Sequence, residues 1–81
     1  MKNEFKVKAD VGDEHGGGYY DIATFNSIAL ALIFISGLKP MIGYNMYIMG
    51  HILGVDENRR DITFKGLTLT KGDDETIEEF Y

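Results

Sequence analysis

From Ile22 to Val55 the chain carries a single charged side chain, Lys39. A surface helix in a small protein normally shows a polar stripe opposite its apolar one. Two successive helices without that stripe need cover on more than one side. A short chain has little else with which to cover them, so this stretch constrains both the fold and the partners it implies.

Punctuation divides the stretch into two helices. In "FNSIALALIFISGL", Asn26 can cap with its side-chain oxygen, and Phe25 and Leu30 have hydrophobic-staple spacing. Gly37 suits a left-handed C-terminal residue, with apolar Leu38 behind it. Pro40 fits the first turn of a second helix, "PMIGYNMYIMGHILG", running from Pro40 to Gly54. On that helix Gly43, Gly50 and Gly54 fall within roughly 40° of one another, which predicts a smooth face packed against the first helix.

Strands flank the helices. Glu4 to Val11 alternates, with Phe5, Val7, Ala9 and Val11 on one face and Glu4, Lys6, Lys8 and Asp10 on the other. Tyr19 to Phe25 is aromatic and β-branched enough for a second strand, joined to the first through Gly12 to Gly18 as a hairpin. Asp56 to Asp61 reads as a polar turn. In "DITFKGLTLTK", Ile62 and Phe64 share one phase while Leu67 and Leu69 share the other. A bulge at Gly66 explains the break. A two-residue turn at Lys65-Gly66 also does, although lysine is a poor first residue for a type I′ turn.

These elements predict an α+β fold in the order ββααβ: a small antiparallel sheet with a two-helix hairpin on one face. The sheet has three strands, or four if Lys65-Gly66 is a turn. Residues 1–72 form the single domain and 73–81 an acidic tail or a short docked helix, because Ile77, Phe80 and Tyr81 segregate from Glu75, Glu78 and Glu79 at helical spacing. The 81 residues leave room for one modest core.

The net charge of −5 argues against direct nucleic-acid binding, which needs cations to displace counterions from phosphates. With no cysteine, disulfide scaffolds, thiol catalysis and cysteine-based zinc sites are excluded. The opening MKNEFKVKAD has no apolar run behind its lysines, so it does not read as a signal peptide, and a cytoplasmic chain is expected.

"GDEHGGGYY" offers the most chemistry. Asp10, Asp13, Glu14 and His15 invite a metal reading, and "HGGG" occurs near esterase oxyanion holes, but beside a G-x-S-x-G elbow absent here. Asp13 and Glu14 would repel a phosphate, and no calcium-loop pattern is present. The stretch is expected to be a hairpin connection, with Asp13, Glu14 and His15 as a contact surface. His51 has no ligand-type residue at helical-pair spacing, and no carboxylate pair is marked for acid–base work. No catalytic residue, metal or cofactor is predicted.

The expected function is therefore non-catalytic protein binding. Tyrosine and methionine are enriched and charge depleted at interface centres, which selects Tyr44, Tyr47, Met49 and His51. Asp73, Asp74, Glu75, Glu78 and Glu79 suit a basic protein surface. The chain would self-associate through its helices, or inhibit a nucleic-acid-handling protein as a phage or mobile-element counter-defence protein does. The alternatives are a membrane-associated hairpin, with Gly50 and Gly54 at G-x-x-x-G spacing, and a small-ligand or metal protein using the glycine-rich loop. No motif assigns a family.

Overall fold

A computed structural model describes residues 4–13, 16–54 and 62–81. The elements run β1 (Phe5–Asp13), β2 (Gly16–Phe25), α1 (Ile28–Leu38), a 3₁₀ turn (Lys39–Met41), α2 (Met46–Leu53), β3 (Thr63–Lys71) and β4 (Glu75–Phe80). The four strands form one sheet in the order β2-β1-β3-β4, with every neighbouring pair antiparallel. The class is α+β, as expected, but the order is ββααββ rather than ββααβ.

Alternation builds the core. Val7 lies opposite Leu69, Ala9 opposite Leu67 and Val11 opposite Phe64 across the central β1–β3 pair, and all six are buried. Burying a side chain of the size of leucine or phenylalanine stabilises by roughly 1.5–3 kcal/mol. The phase break resolves as a bulge within one strand. Asp10 pairs with Gly66 and Val11 with Phe64, leaving Lys65 without a partner position on β1. That extra residue keeps Phe64 and Leu67 on the same core-facing side.

The glycine-rich stretch belongs to the hairpin itself. Gly16, Gly17 and Gly18 are strand residues, with Gly18 opposite Val11 and Gly17 opposite Gly12. A Cβ at Gly17 would sit 2.6 Å from the Val11 carbonyl oxygen, so the strands approach too closely for a side chain there.

α1 rests on β1 and β2, while α2 rests on β3. Ala31 and Ile35 are its buried residues, joined by Met46, Met49 and Leu53 from α2. Local details of the helices differ from the sequence reading. Ser27, not Asn26, is the N-cap of α1, and it makes no side-chain cap hydrogen bond. Gly37 lies inside α1, which ends at Leu38 and passes directly into the 3₁₀ turn holding Pro40. The second helix starts only at Met46. Asn45 caps it, accepting a hydrogen bond from the Tyr47 amide at 2.7 Å. Gly54 closes it in the left-handed region at φ 75°. Gly43 precedes the helix, so the predicted three-glycine face does not form.

The segment before α2 has a different task. The Gly43 amide donates to the Phe64 carbonyl (2.7 Å), the Phe64 amide to the Tyr44 carbonyl (2.9 Å) and the Met46 amide to the Ile62 carbonyl (2.7 Å). Asn45 bridges to Thr63, which pairs with Gly12 of β1 on its other side. The segment thus lines β3 just beyond the Leu67–Phe80 pair, where β4 stops.

Residues 75–80 are a strand, neither a tail nor a helix. Gly72, at φ 65°, turns the chain, and Leu69 then pairs with Glu78 and Thr70 with Thr76. Ile77 is the extra residue between them. This bulge interrupts the alternation that would have marked a strand in the sequence. Lys39 lies 5.5 Å from the centre of the Phe80 ring, a cation–π contact from the helical layer to β4.

Candidate functional site

Two surfaces gather chemistry: the outer face of α1 and the sheet face that carries no helix. α1 buries Ala31 and Ile35 and leaves Ile28, Leu30, Leu32 and Ile33 exposed, Leu30 at 50% and Ile33 at 67%. The Ser36 hydroxyl turns back to the Ile33 carbonyl at 2.8 Å, so this polar residue serves the helix itself. Phe34 packs on Phe25 of β2 with ring centroids 5.4 Å apart. Leu30 lies four residues before Phe34 and Gly37 three after it, and Ile33 joins those two at helical spacing. The flank of α1 above β2 is therefore apolar and carries no charge.

The sequence-selected residues divide. Tyr44 and Tyr47 are half-exposed and His51 is exposed. Met49 is fully buried and belongs to the core. Spacings of three and four residues along the eight-residue helix bring Met46, Met49 and Leu53 onto the same inward side, which a reading of Met49 as an interface residue overlooked. Leu30 and Ile33 were not selected, although the absence of charge around α1 was their signal.

On the helix-free face, Asp10 lies between strand neighbours and is 7% exposed. The Thr68 hydroxyl donates to its carboxylate, 3.0 Å from Oδ1 and 3.1 Å from Oδ2. Tyr81 lies beside it, lining the same shallow depression. Burial pushes the Asp10 carboxyl up from its ordinary range, opposed by the Thr68 hydrogen bond and by Tyr81. Tyr81 is pushed up to about 12 by desolvation and by the Asp10 carboxylate. Neither residue was singled out for this contact, because it joins positions 71 residues apart in sequence.

The acidic residues also divide. Asp73 forms an ion pair with Lys6, and its backbone carbonyl accepts from Lys8 Nζ at 3.1 Å. The Lys6 hydrogen bond and charge hold the Asp73 carboxyl below its ordinary range and raise the Lys6 ammonium. Asp74 sits in the exposed β3–β4 turn, and Glu75, Glu78 and Glu79 lie exposed along β4. A shallow depression of about 200 Å³ lies between Lys8, Tyr19, Thr70, Asp74 and Glu79. It is open, and its lining carries both signs of charge.

Asp13 ends β1, and Glu14 and His15 lie outside the described residues. Among the described residues, no cluster of three or more acidic or histidine side chains could hold a metal ion. Among them too, no helix is long and apolar enough to cross a membrane. Comparison with protein-family models, with curated proteins and with solved structures finds no match.

Proposed function

We propose that the chain is a non-catalytic protein-binding module that docks through the outer face of α1. The observation that carries this reading is the uncharged apolar surface left exposed on a helix already seated on its sheet, with Leu30 and Ile33 on one flank and Ile28 and Leu32 on the other. Exposed apolar surface of this kind marks interaction sites in small proteins. Tyr44 and Tyr47 supply amphipathic contacts from the adjoining segment.

The test is a paired substitution, Leu30→Lys with Ile33→Lys. The variant keeps its circular-dichroism spectrum, because neither side chain is in the core. It loses the association, with itself or with another protein, that the parent chain retains through gel filtration. Parent and variant eluting alike under every condition would overturn the reading.

A second reading rests on β4. Glu75, Glu78 and Glu79 make one edge of the sheet acidic, which suits a basic protein partner. An inhibitor of a nucleic-acid-handling protein, of the kind phages and mobile elements use in counter-defence, would engage that edge.

A further inference from the structure

The two edges of the sheet are treated differently. β4 is six residues long, carries three glutamates and is bulged at Ile77. Segment 43–46 covers β3 where β4 stops. Short length, inward or outward charge and bulges are the devices that keep an edge from pairing with another chain. β2 is ten residues long, with no lysine or proline and one acid, Asp21. Asp21 lies close enough to Lys6 to help raise its pKa. β2 is the end strand of the sheet, and among the described residues no strand adjoins its outer side. Its bulge at Ile22 separates Gly16–Asp21 from Ala23–Phe25 without shortening the edge as a whole.

The open edge and the uncovered helix lie on the same side of the molecule. α1 sits on β1 and β2, and Phe34 fastens its Leu30–Ile33–Gly37 flank above Phe25. Resting on the protein-binding reading above, we propose that the partner is a second copy of this chain. β2 pairs antiparallel with β2 of that copy across a two-fold axis, which doubles the four-stranded sheet and sets the two α1 flanks against each other. One contact then extends the sheet at its end strand and covers apolar side chains together.

Charge and the extent of the edge fit a weakly associating second copy. A ten-residue edge is about 33 Å long, and with a helix layer about 10 Å above it presents a face on the order of 330 Å². Two such faces total roughly 660 Å², the scale of a weak, concentration-dependent contact. The glutamates of β4 stand at the opposite edge of the sheet, so joining two chains of net charge −5 at β2 keeps their acids apart.

Sedimentation velocity over a concentration series, combined with amide hydrogen exchange, tests the proposal. A dimer is expected, with the outward-pointing amides of Gly17–Phe25 exchanging about tenfold or more slowly at dimer-forming concentration than at dilution. Thr24→Lys, at an exposed β2 position, and Leu30→Lys should each shift the equilibrium toward monomer while leaving the circular-dichroism spectrum unchanged. A chain that stays monomeric throughout overturns the proposal, and so does a dimer whose β2 amides exchange as in the monomer. A monomer that holds a different protein through Leu30 and Ile33 likewise overturns it, but leaves the protein-binding reading standing.

Discussion

Thr68 on β3 donates its hydroxyl hydrogen to the Asp10 carboxylate on β1, 3.0 Å and 3.1 Å from the two oxygens, where both residues are buried. Burial raises the Asp10 pKa in the folded chain. The folded state then binds more protons than the unfolded one between the unfolded value, about 3.9, and the raised folded value. Stability falls as pH rises through that window and is level above it. Asp10→Asn removes the contribution while leaving an acceptor for Thr68. Thermal melts of the two proteins should diverge in favour of the variant as pH rises above about 4, and parallel curves would contradict the assignment.

The two sides of α1 should respond oppositely to truncation. Ile35 is 1% exposed, and Ile35→Ala is expected to cost about 2–5 kcal/mol by deleting buried methyl groups and leaving a cavity. Ile33 is 67% exposed, and Ile33→Ala should stay within about 0.5 kcal/mol in the monomer. Urea unfolding at a dilution that excludes association measures both. Equal losses would mean that α1 sits on the sheet in another rotation.

Gly66 holds β4 against β3. A Cβ there would fall inside contact distance of the Phe80 carbonyl oxygen and 2.5 Å from Tyr81 Cδ1. Gly66→Ala must displace backbone, at about 1–3 kcal/mol. The displacement also loosens the Tyr81–Asp10 contact. The Tyr81 titration, read by ultraviolet absorbance, should then move down from about 12 toward the ordinary tyrosine value. An unmoved titration would show that the contact does not depend on this approach.

Alternation in β1 was sufficient, as sequence, to set Val7, Ala9 and Val11 on one face, because a period of two has one consistent way to face a core; that they lie opposite Leu69, Leu67 and Phe64 was decided by the fold. The bulge reading of 61–71 had the same origin. The long uncharged stretch announced a helical layer with too much apolar surface. The limits of α2 were less legible, since the hydrogen bonds of Gly43 and Tyr44 to Phe64 outcompete helical continuation from Pro40, and only the folded chain brings those groups together.

The sequence by itself determined that the chain is α+β, where its central strands lie and that its helices carry almost no charge. Tertiary structure alone decided the rest. Residues 75–80 became an edge strand because β3 offered its free backbone groups, which outweighed a helical spacing too short to stand alone. Met49 went to the core, and Leu30 and Ile33 to the surface, because one side of a helix can face the sheet and seating α1 against Phe25 fixed which side that was.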